Sequence, residues 1–346
     1  MSYGKNGSIL RTLVPQGVAV EFFYMLFPVS GVKTYIFIPP LVAFIVSFFT
    51  SMGGVSGAFL LLPFQMSFLH FTSPAVSSTN FLYNIVAIPS GVYRFIKEGR
   101  MAWPLTMVVI LGTLPGVFIG YYIRVLYLPD PRAFKLFVGC VLMYIGARLL
   151  YELTGKAAAG KSKMSNLDEK FRQRSAQIKT SQQAMVAAGL PPEAVVKTLS
   201  FSLKKVEYEF WGETFSYNTI SMFMLAFIVG IIGGTYGIGG GAIIAPFCVA
   251  VFRLPVYTIS GAALMGTFLT SIAGIVFYSF IPAKSGLATS PDLLLGFLFG
   301  IGGFGGVYLG ARFQKFIPQK LIKIMLGSLI LYVAITYIAQ FFSRYL

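Results

Sequence analysis

A chain of 346 residues that is 56% hydrophobic and only 11% charged, with a mean hydropathy of +0.77, is not an ordinary soluble domain, in which about a quarter of residues carry charge. It reads as an all-α polytopic membrane protein. The formal charge of +16 does not point to nucleic acid, because Lys and Arg cluster at the ends of apolar segments and in one central insert, as cytoplasmic loops and headgroup anchors do.

Residues 1–33 form an N-terminal segment that starts polar and carries Glu21, so it does not read as a cleavable leader. A short or interfacial helix is expected around residues 18–27, with an extra span as the alternative. A first transmembrane unit follows over 34–151, with apolar runs at 35–51, 74–96, 103–123 and 132–151.

The segment 152–217 changes composition abruptly, becoming rich in Lys, Gln, Ser and Ala, and is expected to be a small cytosolic α/β insert. A polar helix over 167–188 should end at Gly189 and the Pro191-Pro192 pair, and the alternation from Thr198 to Trp211 predicts two strands with Lys204-Lys205 at their turn. A second transmembrane unit over 218–346 supplies apolar runs at 219–234, 257–281, 291–313 and 319–342.

The two units are homologous. Met52-Gly-Gly-Val-Ser-Gly-Ala-Phe-Leu-Leu-Leu-Pro63 lies over Tyr236-Gly-Ile-Gly-Gly-Gly-Ala-Ile-Ile-Ala-Pro246, matching Gly54 to Gly237, Gly57 to Gly240 and Pro63 to Pro246. The register carries Phe44 onto Phe227, Ser77 onto Ser260 and Gly91 onto Gly274; after a longer loop it resumes with Gly112, Gly116 and Gly120 on Gly302, Gly306 and Gly310.

Each glycine-broken segment either crosses the membrane or dips and returns. If both cross, each half has five crossings and the halves are inverted repeats; if both dip, the halves are parallel four-helix units. The inverted arrangement is favoured because it places Arg312, Lys315, Lys320 and Lys323 on the cytoplasmic side with the insert.

A glycine run at membrane depth lets a helix unwind, and the half-helix that resumes presents unpaired N–H groups and a positive dipole end. Two such breaks at equivalent points suit a small anion. The expected binding set is Gly54, Ser56 and Gly57 with Gly237, Gly239, Gly240 and Gly241, completed by Asn80, Asn84, Ser260 and Thr267 from the following helices. The glycines spaced four apart at 112–120 and 302–310 read instead as packing faces.

All eleven acidic residues fall outside the central part of any span, which removes the usual ligands for a cation or an intramembrane proton relay. No acid pair or His-Cys arrangement suggests an enzyme, no cofactor is implied, and Cys140 and Cys248 sit in apolar runs without metal spacing. His70, its repeat equivalent Arg253, and Arg94 are candidate entrance cations, with ordinary interfacial roles as the alternative.

The duplicated halves, each with a glycine-rich break followed by proline (Gly53 to Gly57 with Pro63; Gly237 to Gly241 with Pro246), resemble the sulfite exporter TauE/SafE family of membrane transporters. The resemblance implies a secondary transporter moving a small organosulfur or oxyanion substrate, such as sulfite, sulfoacetate or another sulfonate, across the bacterial inner membrane. A proton or sodium ion is the expected coupling ion, and the sequence is compatible with a homo-oligomer and with a cytosolic partner for the insert. Two other readings stay open: a passive anion channel, and a membrane anchor or sensor whose insert docks a partner from sulfur metabolism.

Overall fold

The computed structural model describes residues 23–52, 55–151, 153, 195–281, 288–314 and 319–343. Ten α-helices occur among them: α1 Ile38–Met52, α2 Ala58–Ser67, α3 Ala75–Lys97, α4 Trp103–Tyr122, α5 Pro131–Tyr151, α6 Thr219–Tyr236, α7 Ile244–Phe252, α8 Val256–Phe280, α9 Leu293–Phe313 and α10 Gln319–Phe342. A π-helical turn, Ile123–Tyr127, extends α4. Two small antiparallel sheets complete the described fold: β1 Tyr24–Leu26 with β2 Lys33–Tyr35, and β3 Lys197–Phe201, β4 Lys205–Phe210 and β5 Glu213–Asn218.

Among the described residues six helical segments are long and apolar enough to cross a membrane, lying in α4 with its π turn, α5, α6, α8, α9 and α10. Two of the eight expected runs differ. The 15 residues of α1 rise only about 22 Å, short of the roughly 30 Å of hydrocarbon. The 23-residue α3 is long enough, but its first three turns carry Ser77, Ser78, Thr79, Asn80 and Asn84. All five are fully buried, so α3 spends its polar face on protein rather than lipid.

Glycine faces set the helix pairs. A Cβ at Gly302, Gly306 or Gly310 of α9 would strike the carbonyl oxygens of Pro40, Phe44 and Phe48 in α1, and one at Gly112, Gly116 or Gly120 of α4 would strike those of Phe223, Phe227 and Ile231 in α6. Only a missing side chain lets backbones approach this closely. The register advances in the same direction along both helices of each pair, so α1 runs parallel to α9 and α4 parallel to α6.

Other pairs run antiparallel. Gly139 of α5 meets Ile338 while Gly146 meets Leu331, and Gly91 of α3 meets Leu264 while Gly274 of α8 meets Phe81. In each case one chain number rises as the other falls. The short helix α7 reverses on α6, with Cys248 against Met222 and Phe252 against Tyr217.

The ends of the bundle differ. At one end the sheet β3-β4-β5 runs directly into α6 at Thr219, and the Tyr208 hydroxyl bonds Thr258 at 2.9 Å. Val206, Tyr208, Phe210, Trp211, Phe215 and Tyr217 are buried in the main core, so this sheet is part of the bundle rather than a detached appendage. The expected helix over 167–188 lies outside the described residues.

Sequence alternation finds β3 and β4 but misplaces one turn and misses β5. Lys205 lies in β4, where its N–H bonds Ser202 Oγ at 3.0 Å, so the turn spans 202–204. The β4–β5 turn is Trp211-Gly212, with φ of 55° and 70°; a primed turn beginning on a tryptophan carries no composition signal.

The other end carries β1 and β2. Tyr24–Leu26 is a strand, which corrects the helix expected over 18–27 where that helix enters the described residues. The Pro28 to Gly31 turn folds the chain back, with Gly31 N–H on Phe27 O at 2.9 Å, and Asp292 fastens it by accepting from Ser30 N at 3.0 Å and Ser30 Oγ at 2.8 Å.

Candidate functional site

The two breaks meet on α3. Asn80 Nδ2 donates to Ala58 O at 3.1 Å and to Gly237 O at 2.9 Å, so one amide joins the start of α2 to the end of α6. One turn on, Asn84 Nδ2 donates to Ile238 O at 3.0 Å and to Ser271 Oγ at 3.0 Å, while its Oδ1 accepts from Ser56 Oγ at 2.6 Å. Ser56 Oγ in turn accepts from Ala58 N at 3.2 Å. Gln65 Nε2 reaches Asn80 Oδ1 at 3.3 Å.

The second break is a true interruption. Gly237 caps α6 with φ of +81° and Gly239 follows at +86°, a left-handed geometry in which a side chain would be strained. The chain then passes Gly240, whose N–H bonds Thr270 Oγ1 at 3.0 Å, and enters α7 with no side-chain cap on its first turn. At the start of α2, Gly57 has no side chain to cap the helix, and Ser56 Oγ takes the Ala58 N–H instead. The start of α2, the positive end of its backbone dipoles, therefore lies beside the α3 amides, and the second break brings the end of α6 there before the chain turns into α7.

The proline of the first motif lies inside α2 rather than ending it. Pro63 has no N–H to give Phe59 O. That carbonyl is taken instead by the Tyr236 hydroxyl, at 2.7 Å, and Tyr337 donates to Pro63 O at 3.0 Å. The second half thus supplies two tyrosines to the backbone of the first motif's helix.

Most of the expected site set is brought together: Ser56, Gly57, Asn80, Asn84, Gly237, Gly239, Gly240, Gly241 and Thr267 surround the crossing of the two breaks. Gly54 lies outside the described residues. Ser260 is not with the others, since it sits two turns before Thr267 on α8, about 10 Å away, and meets Gln314 Nε2 at 3.5 Å.

The glycines face protein on their Cβ side. An added methyl would strike Ser77 from Gly237, Thr267 and Ser271 from Gly239, Thr113 from Gly240, the Ala263 carbonyl from Gly241, and Tyr83 from Gly57. Close packing of the broken segments against α3, α4 and α8 accounts for that face of each residue, and the N–H groups of Gly237 and Gly240 are bonded to Gly233 O and Thr270 Oγ1, which leaves those of Gly239 and Gly241 for any ligand.

The candidate entrance cations separate. His70 and Arg253 are exposed at opposite ends of the bundle and share a left-handed backbone, φ 55° and 53°. Arg94 is buried and bonded to Glu98 at 2.6 Å. Glu98 also pairs with Arg100, so Arg94 belongs to a closed charge cluster rather than an open entrance. Burial drives the Arg100 pKa down, and the Glu98 charge opposes that shift.

Sequence reasoning missed Gln65, Tyr236, Tyr337 and Ser47, which bonds Tyr83 at 2.7 Å. The cue was Pro63 itself, since a proline within an apolar helix predicts a carbonyl in need of a donor. The buried carboxylates among the described residues are Glu98 and Asp292, both at helix ends.

Fold and site together define a multi-pass helical membrane protein with two interrupted segments crossing at its centre. The family profile described as "Sulfite exporter TauE/SafE" matches residues 40–337, and the chain belongs to that family of membrane transporters. It is similar to "Probable membrane transporter protein YunE" of Bacillus subtilis (strain 168), 23% identical over 233 residues that cover 65% of this chain and 71% of that one. It is also similar to "Probable membrane transporter protein YdhB" of the same organism, 26% identical over 121 residues covering 34% and 46% respectively. No solved structure matches.

Proposed function

We propose that the protein is a secondary transporter that carries a small organosulfur or oxyanion substrate, such as sulfite, sulfoacetate or another sulfonate, across the bacterial inner membrane. The observation that carries this reading is the convergence of both chain breaks on Asn80 and Asn84, with the start of α2 and the glycine turn that leads into α7 beside them. Backbone N–H groups and dipole ends favour negative charge. The two buried carboxylates among the described residues are taken up outside this centre, Glu98 by Arg94 and Arg100 and Asp292 by Ser30 and the Leu295 N–H.

The two halves act as inverted repeats around the site. Support comes from repeat-equivalent helices, α3 with α8 and α5 with α10, which pack antiparallel, and from the reversal of α7 on α6, which carries the second break from one end of the bundle to the other. Five crossings per half follow. Alternating access would then expose the centre first to one side and then to the other, with a proton or sodium ion as coupling partner.

The bonds seen at the centre are those of a closed state. Both hydrogens of Asn84 Nδ2 are occupied, and the N–H groups of Val55, Ala58, Gly240 and Ala242 are bonded as well, so a bound anion takes its hydrogen bonds from the N–H groups of Ser56, Gly239, Gly241 and Ile243, with the asparagines holding that backbone in shape.

Proteoliposome flux tests the reading. Vesicles containing the purified protein should take up sulfite or a sulfonate against its gradient when a proton or sodium gradient is imposed, and chloride should not compete. Uptake that only equilibrates, accompanied by electrical conductance, would replace the carrier with a channel; absence of flux for every sulfur oxyanion and sulfonate tried would end the proposal.

A further inference from the structure

Arg124 is fully buried beside the second break, and its charge is uncompensated among the described residues. The π-helical turn Ile123–Tyr127 directs it inward while Tyr127, three residues on, is 76% exposed. Its Nη1 donates to Leu128 O and its guanidinium lies 3.8 Å from the Phe134 ring centre. Nε and Nη2 have no partner among the described residues.

Two other buried donors stand with it. Tyr278 packs against Tyr121, which lies one turn before Arg124 on the same helical segment, and neither the Tyr278 nor the Ser77 hydroxyl has a hydrogen-bond partner among the described residues. Ser77 lies directly against Gly237, where the second break opens. Tyr278 is fixed in place by edge-on contacts with Tyr121 and Phe81, ring centres 4.9 and 5.8 Å away.

The repeat supplies an internal comparison. In the registers that carry Gly120 onto Gly310 and Gly91 onto Gly274, Arg124 falls on Gln314, Ser77 on Ser260 and Tyr278 on Phe95. There the polar groups are used up: Gln314 Nε2 bonds Met52 O at 3.0 Å and its Oε1 accepts from Arg100 Nη1 at 3.0 Å. Arg100 stacks on Phe95 at 4.5 Å and pairs with Glu98. One end holds its guanidinia against Glu98 and is closed, and the other keeps an unpaired guanidinium with two idle hydroxyls.

A buried cation without a counterion is costly, whereas an oxyanion accepting from a guanidinium edge and two hydroxyls would satisfy every idle donor at once. We propose that Arg124, Ser77 and Tyr278 form an anion-binding station for the transported oxyanion or sulfonate, placed just before the central site on the side of the bundle that carries β1 and β2. The proposal rests on the anion-carrier reading above and extends it to a named cation. It also makes the two faces of the carrier unlike: an incoming anion meets an unpaired guanidinium at one end and a seal whose guanidinia are held by Glu98 at the other.

The experiment uses the full-length purified protein with sulfite as probe, reading apparent affinity from the thermal midpoint and uptake from proteoliposomes. Arg124→Gln, which installs the side chain of the closed end, should weaken sulfite binding about ten- to a hundredfold, the range for losing hydrogen bonds to a charged group. Arg124→Lys should retain most of the affinity. Unchanged affinity in Arg124→Gln, with the parent protein binding sulfite, overturns the station and leaves the carrier standing; absence of binding in the parent protein overturns both. Should Arg124→Gln not fold, Tyr278→Phe decides, since a loss of about three- to tenfold supports the station and an unchanged value refutes it.

Discussion

Gly240 offers a direct measure of what holds the second break in place. A methyl group added there would overlap Thr113 Cβ and lie 2.9 Å from its Cγ2, against about 3.5–4.0 Å for a comfortable carbon contact. Thr113 cannot retreat, because its own backbone is pressed against Gly230 of α6. Gly240→Ala should therefore destabilise the protein by about 1–3 kcal/mol, the usual range for overpacking. Thr113→Gly removes all three atoms in the way, at about 0.3 kcal/mol of helix propensity. The double variant should be more stable than the sum of the two single effects by about 1–3 kcal/mol, measured as a mutant cycle on unfolding of the detergent-solubilised protein, with sulfite flux recovering in parallel. Strict additivity, or a neutral Gly240→Ala, would show that the break is not clamped by α4. A bulky residue at 240 alone would be a poor test of ligand binding, since it would displace α4 whatever the ligand does.

Three further outcomes are expected. Asn84→Leu leaves the Ile238 carbonyl without its side-chain donor and strands Ser56 and Ser271, so it should cost about 1–3 kcal/mol in thermal or chemical unfolding and abolish flux. Glu98→Gln leaves the buried Arg94 and Arg100 guanidinia without a counter-charge and should cost about 3–5 kcal/mol, with Arg100→Gln in the same background recovering part of it. Burial pushes the Tyr208 phenol pKa up, so the neutral form is favoured in the fold; its contribution is complete below the unfolded value and is lost as the pH climbs past about 10. Tyr208→Phe should remove that alkaline sensitivity, at a cost of about 1 kcal/mol for the Thr258 bond, read from unfolding midpoints across pH.

The helical class, the duplication and the packing role of the four-spaced glycines were legible because all three are written in residue type and spacing. Gly302 and Gly112 announce their neighbours by lacking a side chain. The meeting of Asn80 and Asn84 with both breaks was half legible: their shared helix face followed from spacing, but nothing in the sequence says that one amide reaches Ala58 and Gly237 together. The separation of Ser260 was hidden because repeat equivalence places it opposite Ser77, and Ser77 lies against the second break while Ser260 meets Gln314 at the opposite end. Arg124 and Gln314 look like ordinary helix-end residues in the sequence, and only their burial distinguishes them.

The exchanged glycine contacts have a consequence for how the molecule divides. α1 of the first half lies along α9 of the second exactly where α6 of the second lies along α4 of the first, so each half holds the other's first helix in its own fourth. Such reciprocal contacts are those of an isologous dimer, in which one surface serves both partners. Separately expressed halves should find one another in the membrane, with α1 against α9 and α4 against α6 as in the intact chain.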